Sequence, residues 1–162
     1  MKVAQVFFQI IVLSLISFKS LAIDNDSIKV DLRMPIHQIQ SNKDIMINLK
    51  VTSYQKRILE VPEEGVWGYM GRPTGFIAVQ VQRKIGPKYA ELAPGANIDN
   101  FQGVKIDTLN MNDAKAYSLN VNMLYHFLKG EYRVRVLVKF SSLNPIKDIY
   151  SKWVYFQCKK EL

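Results

Sequence analysis

Apolar and polar residues alternate with a period of two along most of this sequence, and no other feature limits the fold as strongly. The longest example spans residues 132–140, where apolar side chains alternate with Arg133, Arg135 and Lys139. A period of two is typical of a β-strand with one buried and one solvated face. Similar alternation, or a short β-branched and aromatic run, predicts further strands at residues 28–34, 45–52, 58–61, 76–84, 104–109, 117–123 and 153–158.

Helical periodicity is missing from the same part of the sequence. Beyond residue 22, apolar residues are not spaced at i, i+3, i+4 and i+7 over three turns, and residues 124–128 can form one helical turn at most. Seven or eight short antiparallel strands joined by turns are typical of a β-sandwich or a β-barrel. The sequence therefore predicts an all-β fold in which the inward row of each strand packs against an opposite sheet.

Length and composition set further limits. The chain has 162 residues, of which 48% are hydrophobic and 11% aromatic, so it is long enough for one domain with a real core and is not intrinsically disordered. Cys158 is the only cysteine, which excludes an internal disulfide framework. Because Cys158 alternates with Val154 and Phe156, we expect its thiol to face the core.

The first 22 residues have the features of a secretory signal peptide. A positive start at Lys2 precedes an apolar run over residues 3–18, and small residues stand at Ser20 and Ala22, the −3 and −1 positions of a cleavage site. The run is shorter than the ~20 residues that a bilayer span needs. We expect residues 23–162 to form the mature domain, secreted or periplasmic, without stable membrane insertion. Cleavage would lower the formal net charge from +8 to +6, which does not by itself imply nucleic acid binding.

A five-residue segment before the longest strand points to a fold family. Leu128, Gly130 and Tyr132 have the spacing of the tyrosine corner, in which the tyrosine hydroxyl bonds back to the backbone where the chain crosses between sheets. Through this motif and its strand pattern, the sequence resembles immunoglobulin-like and fibronectin type III-like domains. The resemblance implies a Greek-key β-sandwich of about seven or eight antiparallel strands. The Cys…Trp…Cys pattern of antibody domains is absent.

The residues needed for catalysis do not come together in the sequence. His37 and His126 lie far apart, and neither stands near a nucleophile in a turn typical of hydrolases. The adjacent Glu63 and Glu64 lie in one loop, whereas paired catalytic carboxylates usually come from different elements. No metal-ligand spacing and no phosphate-binding glycine loop is present. We therefore predict a protein without enzymatic activity, cofactor or metal.

One loop has the composition of a recognition surface. Residues 62–75 contain Trp67, Tyr69, Met70 and Arg72 among several glycines, and these side-chain types are enriched in binding interfaces. The alternative is that the loop folds back and Trp67 caps the open end of the sandwich. Tyr150 and Trp153 could extend an aromatic patch, although Trp153 alone is better explained as a core residue.

The charged side of the longest strand is a second candidate surface. Arg133, Arg135 and Lys139 share one face, and we expect Lys50 nearby. Such a stripe could meet an anionic glycan or the acidic residues of a protein. The alternative is the ordinary solvated face of an antiparallel sheet.

Together these observations predict an exported binding or accessory module that recognises a protein or a glycan, with the 62–75 loop as its main surface. A second hypothesis comes from the bacterial intracellular proteinase inhibitors, which the chain resembles in a polar segment followed by a Gly-x-Tyr strand. That resemblance implies a sandwich in which one long loop occupies the cleft of a protease. No inhibitory loop of that family can be matched residue by residue.

Overall fold

We describe the fold from a computed structural model, in which residues 27–40, 45–54, 59–62, 67–69, 77–95, 106–140 and 147–160 are described. The signal-peptide prediction for residues 1–22 lies outside these ranges. The described chain contains the strands β1 Ile28–Arg33, β2 Gln38–Ile39, β3 Met46–Ser53, β4 Leu59–Pro62, β5 Trp67–Tyr69, β6 Ile77–Ile85, β7 Lys88–Glu91, β8 Ile106–Leu109, β9 Ala114–Asn120, β10 Gly130–Phe140, β11 Lys147–Tyr150 and β12 Val154–Cys158.

The described strands form two principal sheets and one separate pair. The first sheet has the order β1-β3-β9 and is antiparallel throughout. The second has the order β2-β12-β10-β6-β5, with β11 also paired to β10 and β7 to β6. Its pairs are antiparallel except for β2 with β12 and β5 with β6. Strands β4 and β8 pair only with each other in the described chain. The predicted all-β class is confirmed, and the arrangement is compatible with a β-sandwich.

The core lies between the inward rows of the two principal sheets. Strand β3 contributes Ile47, Leu49 and Val51, and strands β6 and β10 contribute Val79 and Val134 among others, all at most 1% exposed and part of one cluster. On the other face of these strands, Asn48 and Lys50 of β3 are exposed and Arg133 and Arg135 of β10 are half-buried, so the period of two in the sequence follows from this packing.

The tyrosine corner joins the two principal sheets, since β9 belongs to the first and β10 to the second. The Tyr132 hydroxyl donates to the Leu128 carbonyl oxygen at 2.8 Å and accepts from the Leu128 amide at 3.1 Å. The Tyr132 ring is 1% exposed and packs against Phe127 and Phe156. Burial, the largest contribution, raises the pKa of this phenol.

Gly130 is the first residue of β10 and lies at the corner, with a φ of 159° that L side chains rarely adopt. A Cβ at this position would lie 3.3 Å from Arg83 Nε, and Arg83 donates from Nη2 to the Lys129 carbonyl at 3.1 Å. The glycine therefore leaves room for the Arg83 side chain beside the corner.

Each of the eight predicted strands has a counterpart, and the differences are local. Strand β9 ends at Asn120 instead of continuing to Met123, because Val121–Met123 forms a short 3-10 helix in which the Asn120 side chain accepts from the Asn122 amide. Strands β2, β5, β7 and β11, of two to four residues, were not predicted. In the described ranges, no helix has the length and apolar character needed to cross a bilayer.

Candidate functional site

An alternating stack of aromatic rings and guanidinium groups lies on the outer face of the seven-stranded sheet. Trp153 is at its centre, with the Arg133 guanidinium 4.3 Å and the Arg135 guanidinium 4.5 Å from its ring. Arg133 also contacts the ring of Tyr89, and Arg135 that of Tyr150, each at 4.3 Å. We call these five side chains, in the order Tyr89, Arg133, Trp153, Arg135 and Tyr150, the arginine–aromatic stack.

The strand register explains how residues distant in sequence reach this stack. Arg133 and Arg135 are two positions apart on β10, so both lie on the side opposite the buried Val134 and Val136. Strand β12 pairs with the first half of β10 and β11 with the second. The chain between these two strands carries Trp153 across the middle of β10.

Ser151 fixes that crossing segment. Its amide donates to the Val136 carbonyl oxygen at 2.8 Å, and its hydroxyl oxygen accepts from the Val136 amide at 2.9 Å. The hydroxyl itself donates to the Lys152 carbonyl oxygen at 3.0 Å. Ser151 is 5% exposed, so these bonds satisfy polar groups that water does not reach freely. The serine side chain thus replaces a backbone acceptor and lets the strand be interrupted beside Trp153.

Glutamine side chains on β6 orient both guanidinium groups. Arg133 donates from Nε to Gln82 Oε1 at 2.8 Å, and Arg135 donates from Nε to Gln80 Oε1 at 2.6 Å. Both glutamine amides donate in turn to Glu91 Oε2, at 2.8 Å from Gln80 and 3.2 Å from Gln82. These contacts follow the register, in which Arg133 pairs with Gln82 and Gln82 with Glu91. The guanidinium planes are held from two directions, by rings and by amides.

The stack contains two cations, and Glu91, whose carboxylate accepts from both glutamines, does not bind either guanidinium group directly. Within the described ranges, neither Arg133 nor Arg135 has a carboxylate oxygen within 4.0 Å, and their acceptors are neutral amides. The nearby Glu131 is already paired, at 2.6 Å, with Lys84, and this hydrogen bond raises the pKa of the Lys84 ammonium. A guanidinium fork without an acidic partner can accept a carboxylate or another anion in bidentate geometry.

A cleft of about 330 Å³ opens at the Tyr89 end of the stack. Tyr89 and Tyr155 meet there edge to face, with ring centroids 6.0 Å apart, and Tyr155 is 53% exposed. The polar residues that line the cleft are His37, Gln38, Glu131 and Gln157. We call it the tyrosine cleft.

A larger groove of about 520 Å³ runs between the edge strand β1 and strand β11. The charged residues Lys29 and Asp31 in its wall bind each other at 2.8 Å. That ion pair raises the pKa of Lys29, first through the hydrogen bond to Asp31. No stacked arginine lies among the residues that line this groove.

The structure brings together some of the predicted binding residues. Arg133 and Arg135 lie in the stack, and Lys139 continues their strand. Trp67 and Tyr69 lie on β5, where their backbones pair with Ile77 and Val79, two buried core positions on the side of the sheet away from the stack. Met70 and Arg72 lie outside the described residues. The hypothesis that the 62–75 loop binds a partner therefore stays a prediction.

Two expectations about neighbouring residues were wrong. Trp153 is not a core residue: it is half-buried on the outer face, because the interruption at Ser151 carries it over the arginines. Lys50 does not extend the basic stripe, because it lies on β3 of the other sheet, paired with Asp31 and Ala116.

Sequence reasoning missed Tyr89, Gln80, Gln82 and Tyr155 as parts of this site. The only available signal was the alternation of β6, which makes Gln80 and Gln82 outward neighbours of one another. Their position opposite the arginines depends on the pairing of β6 with β10, which is a long-range property of the fold.

Residues considered for other chemistry have structural surroundings. Cys158 is 1% exposed, and burial raises the pKa of its thiol to about 11. His37 and His126 are exposed on separate segments. Among the described residues, no three His, Cys, Asp or Glu side chains are grouped closely enough to hold a metal ion.

No protein-family model matches the chain, and no curated protein matches it. Its function must therefore be argued from the geometry described above.

Proposed function

We propose that this chain is an immunoglobulin-like Greek-key sandwich serving as an exported, non-enzymatic binding module. The fold assignment is supported by strand order. In immunoglobulin-like domains the first, second and fifth strands share one sheet, and the third, sixth and seventh share the other. Strands β1, β3 and β9 lie together here, and strands β6, β10 and β12 lie together in the second sheet. The Tyr132 hydroxyl bonds at the start of β10 occupy the corresponding corner.

The arginine–aromatic stack is the observation that carries the binding function. Tyrosine, tryptophan and arginine are the residues that most often dominate binding energy at interfaces. An ordinary solvated strand face does not need two arginines held between rings and oriented by glutamines. Because rings and amides already restrict both guanidinium groups, a partner would lose less side-chain entropy on binding them. The stack is therefore the recognition surface in this proposal.

The 62–75 loop is retained as a second, separate surface. Trp67 is either a recognition residue or a cap on the sandwich, and substitution separates the two. A Trp67→Ala variant that keeps its stability but loses a partner would support recognition, whereas a large loss of stability would support the capping role.

The test compares two double variants that change net charge equally. Arg133→Gln with Arg135→Gln removes the cations of the stack, and Arg33→Gln with Lys50→Gln removes two exposed cations from the other sheet. Each protein is immobilised and exposed to a cell-envelope extract of its source, and circular dichroism melting checks that both fold. We expect a component retained by the wild type and by the control to be lost from the stack variant. Equal retention by all three proteins, or retention by none, would contradict the proposal.

A further inference from the structure

The tyrosine cleft and the stack are adjacent because they share Tyr89. The Tyr89 ring contacts the Arg133 guanidinium and also meets the Tyr155 ring, edge to face, inside the cleft. Arg133 does not itself line the cleft, but it pairs with Tyr155 across β10 and β12, so the two side chains lie on the same face of the sheet. A ligand in the cleft that extends along the Tyr89 ring can therefore reach the Arg133 guanidinium.

The lining of the cleft combines aromatic and hydrogen-bonding groups and contains no aliphatic side chain. Tyr155, which is half-exposed, offers an apolar ring surface, and the Gln38 and Gln157 amides offer both donors and acceptors. Aromatic surface suits a flat ring of C–H groups, and amides suit a ligand rich in hydroxyls. A volume of about 330 Å³ has room for one such ring with its substituents.

His37 adds to this lining a ring nitrogen that can form hydrogen bonds. Its Nδ1 lies 2.8 Å from the Tyr155 carbonyl oxygen. Because a carbonyl oxygen only accepts, Nδ1 must carry the proton of this bond. In the neutral imidazole, Nε2 is then an acceptor for a hydroxyl group.

Arg133 adds a further requirement, which is that the ligand carries a negative charge. Its Nε is used by Gln82, and in the described part of the chain no carboxylate lies within 4.0 Å of its guanidinium. Glu131, the acid in the cleft, is paired with Lys84 at 2.6 Å, which offsets part of its repulsion of an incoming anion. A carboxylate on the ligand would pair with the outer nitrogens of Arg133.

We propose that the tyrosine cleft binds an acidic sugar unit, namely a uronic acid residue of a polysaccharide. The sugar ring lies against Tyr155, its hydroxyls bond to Gln38, Gln157 and His37, and its carboxylate binds Arg133. This inference rests on the proposed function, since it assigns a ligand class to the same surface.

The experiment measures the affinity of the full chain for three uronic acid polymers, polygalacturonate, alginate and hyaluronate, by affinity electrophoresis. Carboxyl-reduced polygalacturonate keeps the sugar ring without the charge, and poly-L-glutamate keeps the charge without the sugar. The variants are Tyr155→Ala, Arg133→Gln and the charge-matched control Lys50→Gln.

We expect at least one uronic acid polymer to retard the wild type, and Tyr155→Ala and Arg133→Gln each to weaken that binding at least tenfold. Lys50→Gln should bind as the wild type does, and both control polymers should bind at least tenfold more weakly. Absence of binding to all three polymers would overturn the ligand assignment, as would equal binding to poly-L-glutamate or unchanged binding by Tyr155→Ala.

Failure of this inference and failure of the proposed function can be told apart. If an envelope component is retained through Arg133 and Arg135 but no uronic acid polymer binds, the ligand class is wrong and the binding surface stands. If neither the envelope component nor the polymers depend on the arginines, the binding function itself fails.

Discussion

Both principal sheets have an outer face that carries polar residues, but the two surfaces differ. On the three-stranded sheet, polar side chains pair with each other: Lys29 binds Asp31 at 2.8 Å, and the Ser118 hydroxyl donates to Asn48 Oδ1 at 2.8 Å. On the seven-stranded sheet, Arg133 and Arg135 lie between aromatic rings and bind glutamines. The sequence of each face is polar. Contacts between side chains on neighbouring strands determine whether such a face is only solvated or holds its side chains in fixed positions.

The largest effect is expected from removing the centre of the stack. Trp153→Ala deletes two guanidinium contacts, each contributing about 0.5–1 kcal/mol, together with part of a half-buried ring, so the free energy of unfolding should fall by about 2 kcal/mol. Urea denaturation measures this. An exposed substitution on the other sheet, Ser118→Ala, is the control and should change stability by less than about 0.5 kcal/mol. Equal effects would show that the two faces do not differ.

The corner that joins the two sheets should produce the next effect. Tyr132→Phe removes the hydroxyl that bonds to the Leu128 carbonyl and amide, and we expect a loss of about 1–2 kcal/mol. The urea midpoint reports it, and Tyr155→Phe, on an exposed ring, serves as the matched control. An unchanged midpoint in Tyr132→Phe would show that the hydroxyl bonds of the tyrosine corner do not stabilise the fold.

At alkaline pH, the free energy of unfolding should depend on Cys158, which lies on β12 of the seven-stranded sheet. The folded pKa of Cys158 is raised from 9.0 to about 11, so its stabilising contribution is present below pH 9 and is lost as the pH rises towards 11. Between pH 8 and pH 10 the wild type should lose roughly 1 kcal/mol more than Cys158→Ala. Urea melts of both proteins at the two pH values test this, and parallel losses would contradict it. Burial likewise raises the pKa of Tyr117 in the other sheet, so its contribution is lost only at higher pH.

The smallest effect is expected from the ion pair on the three-stranded sheet. Lys29 and Asp31 are both on the outer face of the edge strand β1, and such surface pairs contribute about 0–1 kcal/mol. Lys29→Gln should therefore leave the thermal midpoint almost unchanged. A clear drop in the midpoint of Lys29→Gln that disappears when both proteins are melted in 1 M salt would show that this face is more organised than we describe.

The sequence was sufficient for the class of fold and for most strands. The long strands could be predicted because burial on one face imposes a period of two, as in β3 and β10. Short strands such as β2 and β7 could not, because two to four residues do not establish a period. The spacing of Leu128 and Tyr132 also predicted where the hydroxyl bond lies, since that contact is local.

Only part of the site could be predicted, because a sequence pattern shows which residues share a face of one strand but not which distant segments contact it. Arg133 and Arg135 belong to one strand, and their shared face is visible in the sequence. Tyr89 and Trp153 reach them through the pairing of β6 with β7 and through the interruption at Ser151, which are contacts between distant segments. Trp153 was expected in the core because tryptophan in a strand is usually buried, and nothing local shows that guanidinium groups cover it instead.

The most direct test of the central claim is hydrogen–deuterium exchange of the full chain with and without the retained envelope component. The account predicts slower exchange in residues 80–91 and in 131–135 with 153–157, and unchanged exchange in residues 28–33 and 46–50. Protection confined to the β1 and β3 strands, or equal protection on both sheets, would contradict the assignment of the arginine–aromatic stack as the recognition surface.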